Sequence, residues 1–134
     1  LAMSPADDRL EDCIVKADAA LEEGSDRAAD LRFGHDTGLL PLTCLLGIRE
    51  MSVKYPSETA HDNWNTYDRI PMGSNLQMVF YRNAAGKILV KLLYNEQETS
   101  IPALEPYSGN YYEWETLRAW MASRVESARA NLKK

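Results

Sequence analysis

The chain has 134 residues, 45% of them hydrophobic and 26% charged, a composition that suits one globular domain and not a disordered chain. Lys plus Arg number 15 and Asp plus Glu 20, so the formal charge is −5 and the chain is a poor candidate for holding nucleic acid by bulk charge. No apolar run approaches the roughly 18–20 residues of a membrane-spanning helix, so neither nucleic acid nor membrane is an expected partner. The first residue is Leu1 and no signal-peptide pattern follows it, so we expect a processed product or a piece of something longer. The two cysteines, Cys13 and Cys44, lie in apolar periodic stretches and read as small core residues, with no disulfide framework.

The first predicted element is a helix over 8–22, with Leu10, Ile14, Ala17 and Leu21 on one face, Asp7 and Asp8 near its start and Gly24 at its end. Residues 28–34 read as a short strand with Leu31 and Phe33 on one face and Arg32 on the other. From 38 to 48 the chain is almost wholly apolar, which predicts a short, deeply buried helix. Pro41 fits its first turn, and a start at Asp36 would leave the proline late and the helix kinked. Residues 49–72 look irregular, and a loop of that length inside a compact domain is often functional. The clearest signal is a hairpin: Leu76, Met78 and Phe80 alternate, Asn83 to Lys87 make a turn, and Ile88, Val90 and Leu92 alternate again. A final helix over 112–132 carries Trp114, Leu117, Met121, Val125, Ala128 and Leu132 inward and Arg118, Arg124, Glu126 and Arg129 outward. Asn110 and Glu113 suggest a capping box at its start, and Tyr107, Tyr111, Tyr112 and Trp114 are expected to pack it against the hairpin. The order helix, strand, helix, long loop, hairpin, helix makes a single α/β domain over 1–134.

Both histidines precede an aspartate. His35-Asp36 sits between the predicted strand and the apolar helix, a junction where α/β sheets place ligands and where helix N–H groups attract anions. A histidine there can donate to a phosphate oxygen, and the neighbouring Asp36 can give a proton to a leaving oxygen. The competing reading makes Asp36 or Thr37 a helix cap and His35 an interior histidine with satisfied hydrogen bonds. His61-Asp62, in the polar loop, reads as solvated loop residues, and no spacing joins the two pairs into a metal site. Asn75, opening the hairpin strand, either hydrogen-bonds a ligand or caps a turn. Arg32 either touches an anion or faces solvent.

The run Leu31-Arg32-Phe33-Gly34-His35-Asp36-Thr37-Gly38-Leu39-Leu40-Pro41-Leu42 resembles the second active-site motif of the histidine acid phosphatases, the branch of the histidine phosphatase superfamily that includes phytases and multiple inositol polyphosphate phosphatases. Pro71-Met72-Gly73-Ser74-Asn75-Leu76-Gln77 is similar to the approach to the strand that follows there. The hairpin, the segment 95–102 and the closing helix are similar to the family's C-terminal portion. The resemblance implies part of a three-layer α/β domain in which His35 binds the transferring phosphoryl group, Asp36 protonates the leaving alcohol, and Thr37 and Asn75 contact substrate. It implies no cofactor and no metal. It implies a phosphate monoester as substrate, with inositol polyphosphates a possible class, although inositol polyphosphate relatives often carry His-Ala-Glu where this chain has His-Asp. Export to the periplasm or the cell exterior is a further expectation from the resemblance.

The chain departs from the family in one large respect. It contains no Arg-His-Gly, the motif whose histidine attacks phosphorus, and it lacks the paired arginines that would clamp the phosphate. The expectation is a C-terminal portion of a phosphatase, inactive or nearly so by itself, that associates with its missing N-terminal half or with itself. The alternative is a non-catalytic module that binds an anion or a partner.

Overall fold

The computed structural model describes residues 5–52, 57–59 and 65–132. Its elements are α1 (Ala6–Leu21), α2 (Asp36–Leu46), a 3-10 turn (Arg49–Met51), a one-turn helix α3 (Thr66–Arg69), strands β1 (Leu76–Arg82), β2 (Ile88–Tyr94), β3 (Gln97–Thr99) and β4 (Tyr111–Glu113), and the long helix α4 (Trp114–Leu132). The result is a mixed α/β arrangement of helices with a four-stranded antiparallel sheet.

Strand β2 is the centre of the sheet. It pairs with β1 along its whole length, Phe80 opposite Val90 and Met78 opposite Leu92. Its other edge is shared, β3 pairing near Tyr94 and β4 near Leu89. The β1–β2 turn is built by Asn83, whose side-chain oxygen accepts the Lys87 N–H at 2.8 Å while its own N–H donates to the Lys87 carbonyl at 3.1 Å. Gly86 completes the turn at φ +85°, a conformation an L side chain rarely adopts. The same face of the sheet carries Val90, Leu92 and Tyr94, all buried, and meets α4 through an edge-to-face contact of Phe80 with Trp114 at 5.1 Å.

Helix α4 buries Trp114, Leu117, Met121 and Val125 of the predicted stripe, while Ala128 is half-buried and Leu132, expected inward, is exposed at the helix end. Each such side chain, fully buried, stabilises the fold by about 1.5–3 kcal/mol. Its start differs from the expectation. Residues 111–113 are strand, because Tyr112 in extended geometry reaches Ile101 and accepts its N–H at 2.8 Å. The capping box is therefore not formed: Asn110 donates to Glu98 and Glu113 accepts from Lys87. The arginines expected to face solvent instead tie helices together. Arg129 meets Asp7, Asp8 and Glu11 of α1, Arg118 meets Asp18, and Arg124 donates to the Leu45 carbonyl of α2 at 2.7 Å.

Three further expectations are corrected. Residues 28–34 form no strand, since β-propensity alone does not make one without a hydrogen-bonded neighbour, and no described residue supplies that neighbour. Helix α2 starts at Asp36, runs through Pro41 to Leu46, and is less buried than expected: Gly38, Thr43 and Leu46 face the core, Leu39, Leu40, Leu42 and Leu45 are half-buried, and Pro41 is exposed. Cys44, expected in the core, is exposed on that outer side, while Cys13 is half-buried. Within 49–72 the chain makes the 3-10 turn and α3, and Ile70 is buried.

Candidate functional site

The His35-Asp36 pair stands where an extended segment turns into α2. Gly24, at φ +82° after the end of α1, starts the connection, and the residues from 25 to 35 carry no positive φ. His35 is the last extended residue, at φ −112° and ψ 167°. Its carbonyl accepts the N–H groups of Gly38 at 2.9 Å and Leu39 at 3.1 Å, which starts the helix. Its imidazole makes no capping hydrogen bond and is exposed. Asp36 is the first helical residue; its Oδ1 accepts the N–H of Thr37 at 2.9 Å, and its side chain is open to solvent. Thr37 is also exposed. The C-terminal end of α2 is closed by Gly47 at φ +81°, whose N–H donates to the Thr43 carbonyl at 3.0 Å. The junction thus sets an exposed imidazole and an exposed carboxyl at a helix amino terminus, where the amides of Thr37, Gly38 and Leu39 are already taken by Asp36 Oδ1 and the His35 carbonyl. The reading of His35 as an interior histidine does not hold, because the residue is on the surface.

The structure places Asn75 elsewhere. It precedes β1, where its N–H donates to Asn95 Oδ1 at 3.0 Å and its carbonyl accepts the Asn95 N–H at 2.9 Å. Its own Oδ1 accepts from Gln77 Nε2 at 3.0 Å. Those bonds clasp the open end of the hairpin, the structural role weighed for it in the sequence. A shallow hollow of about 190 Å3 lies there, lined by Ser74, Asn75, Asn95 and Glu96 among others. A second, of about 280 Å3, lies between Glu50, Arg69, Tyr94 and Gln97. Neither is lined by His35, Asp36 or Thr37, and no hydrogen bond joins Asn75 to these three. The part Asn95 plays is legible only in retrospect, as the Asn-Glu pair at positive φ that turns β2 into β3.

Arg32, left open between anion and solvent, is engaged by carboxylates. Its guanidinium lies 2.7 Å from Asp12 of α1 and 3.6 Å from Asp30. It therefore fastens the segment before His35 to α1. Cys13 stands beside this cluster, and burial pushes its thiol up from the ordinary value. Among the described residues no group of three or more His, Cys, Asp and Glu is placed to hold a metal. His61-Asp62 lies outside the described residues.

The profile of the histidine phosphatase superfamily, branch 2, matches residues 6–95, about two-thirds of the chain. The chain belongs to this family. The matched stretch runs from α1 through the His35-Asp36 junction to the end of β2, so the candidate pair lies inside it and β3, β4 and α4 lie beyond it. No curated protein matches the chain. Membership in the histidine phosphatases carries a phosphatase-type function at the general level, and the mixed α/β fold is consistent with a histidine phosphatase-like domain.

Proposed function

We propose that this chain is the acid-bearing portion of a histidine acid phosphatase acting on phosphate monoesters. His35 is the phosphate-binding imidazole and Asp36 the general acid, with Thr37 on the substrate side, while Asn75 clasps the hairpin through Asn95. A histidine outside residues 1–134, in an Arg-His-Gly setting, attacks phosphorus and becomes phosphorylated as the P–O bond to the alcohol breaks. Asp36 delivers its proton to the departing oxygen; as a carboxylate it then takes a proton from the water that releases phosphate from the nucleophile. His35 donates to a non-bridging oxygen at the positive end of α2. Inositol polyphosphates are one substrate class within this proposal, and export from the cytoplasm is part of it. The observation that carries the reading is the adjacency of two exposed functional groups, imidazole and carboxyl, at the start of an 11-residue helix inside the family-matched stretch.

The test uses the polypeptide that joins this chain to an Arg-His-Gly segment. Asp36→Asn there should slow hydrolysis of an alkyl phosphate by about 10²–10⁴-fold and of an aryl phosphate with a good leaving group far less. Equal losses on both substrates would remove Asp36 from the acid role. The second reading, a non-catalytic anion- or partner-binding module, is favoured by one observation: the 134 residues contain no Arg-His-Gly. A coding sequence with no such motif upstream of Leu1 would decide for it.

A further inference from the structure

Helix α2 carries the candidate pair at its start and is gripped at its other end by α4. The last carbonyls of a helix have no partner within it. In α2 the Thr43 carbonyl takes the Gly47 N–H at 3.0 Å, and two carbonyls beyond it take side chains of α4. Arg124 Nε donates to the Leu45 carbonyl at 2.7 Å, and Trp120 Nε1 donates to the Leu46 carbonyl at 2.8 Å. The two donors form one unit, with the Arg124 guanidinium 5.4 Å from the centre of the Trp120 ring and both side chains half-buried. The same ring lies against the turn that closes α2, since a Cβ on Gly47 would stand 3.6 Å from it. Thr43 and Leu46, both fully buried, seat this end in the core.

We propose that Arg124 and Trp120 are positioning residues for the reaction: by fixing the carboxyl end of α2 they set where its first residue, Asp36, stands. The functional half of this statement rests on the reading of Asp36 as the general acid; the fastening does not. Helix α4 lies beyond the family-matched stretch, so the element that carries the pair is held by one that the match leaves unassigned.

The geometry makes the coupling mechanical. Successive residues stand about 100° apart around a helix, so two directional bonds at Leu45 and Leu46 resist rotation about the axis as well as tilt, which apolar packing alone permits. From Leu45 back to Asp36 the axis runs about 14 Å, and a tilt of about 5° at the fastened end moves Asp36 by about 1 Å. A shift of that size can cost about a hundredfold in rate, because a general acid has to stay within hydrogen-bond reach of the leaving oxygen. The Arg124 cation also sits at the negative end of the α2 dipole, which strengthens the grip.

The test uses the polypeptide that joins this chain to an Arg-His-Gly segment, assayed on an alkyl phosphate and on an aryl phosphate with a good leaving group. The alkyl substrate depends on the acid far more, so the ratio of the two rates reads the placement of Asp36. Arg124→Met, which keeps the length and removes the donors, should lower the alkyl-to-aryl ratio about tenfold, and the same change combined with Trp120→Phe about a hundredfold. Arg124→Lys, which keeps a donor, should recover most of the loss. Tyr112→Phe, which weakens the fold elsewhere, should leave the ratio unchanged, because partial unfolding removes both activities alike. In the Asp36→Asn background Arg124→Met should lower the ratio no further. A crystal structure of the Arg124→Met variant should show α2 tilted or turned against α4. If Asp36→Asn is selective for the alkyl substrate while Arg124→Met leaves the ratio at its wild-type value, the positioning role is overturned and the acid stands. A further drop in the Asp36→Asn background overturns it too, since Arg124 would then act through some other group. If Asp36→Asn slows both substrates alike, the acid reading falls and the crystal structure judges the fastening by itself: an unmoved α2 overturns it, a displaced one upholds it.

Discussion

Removing one oxygen atom, in Tyr112→Phe, tests how the closing part of the fold is joined. Tyr112 and Ile101 are each 1% exposed. The phenol accepts the Ile101 N–H at 2.8 Å and donates back to the Ile101 carbonyl at 3.3 Å. The carbonyl has a second partner, the Leu104 N–H at 3.0 Å, so it loses little. Among the described residues the Ile101 amide has no other acceptor. Phenylalanine keeps the ring and its buried area, so the hydrophobic contribution cancels and what remains is one dry, unpaired N–H, costing about 1–3 kcal/mol. Against a total stability of about 5–15 kcal/mol the change is easily read. Urea denaturation should show a lower midpoint at an unchanged slope, and the Ile101 amide should exchange with solvent at least about tenfold faster. A loss below about 0.3 kcal/mol with unaltered exchange would mean that water reaches the amide and that Tyr112 does not fasten this loop to the sheet.

Leu117→Ala, at a fully buried site under the sheet, should cost about 2–5 kcal/mol in the same denaturation assay. Two carboxyls give the fold an acid dependence. The hydrogen bond from Arg129 holds Glu11 below its ordinary 4.5, and that from Lys91 does the same for Glu98. A depressed folded-state value means that the unfolded chain binds the proton more tightly, so this stabilisation is complete above 4.5 and fades as pH falls through the lower, folded value. The stability curves of the wild type and Arg129→Gln should therefore run apart at neutral pH and converge as the pH falls below 4.5. Parallel curves would show that the Glu11–Arg129 bond is not formed in solution.

The hairpin was legible in the sequence because both of its causes are local: alternation over two seven-residue strands, and an Asn-to-Lys turn that closes on its own side chain. Helices α1 and α4 were legible for a similar reason, since each carries one apolar stripe. The His35-Asp36 junction was legible as a motif, and the structure leaves both groups open at a helix start. Asn75 was ambiguous in sequence, because an asparagine before a strand suits a ligand and a turn equally; the clasp with Asn95, 20 residues on, gives it a structural partner.

Residue order by itself determined which segments have a helical or an alternating period, and that an imidazole and a carboxyl stand side by side at a helix start. Only the tertiary structure decided what those segments meet. Tyr112 lies in a strand, opposite Val90 and hydrogen-bonded to Ile101, and Arg129, still partly exposed, turns to three carboxylates of α1. Cys44, on an apolar helix, is exposed on its outer side. Residues 28–34 have the alternation of a strand but none of its hydrogen bonds. A helix satisfies its backbone from within, so its period suffices to announce it; a strand is completed by another segment, and no local pattern can say whether that segment is there.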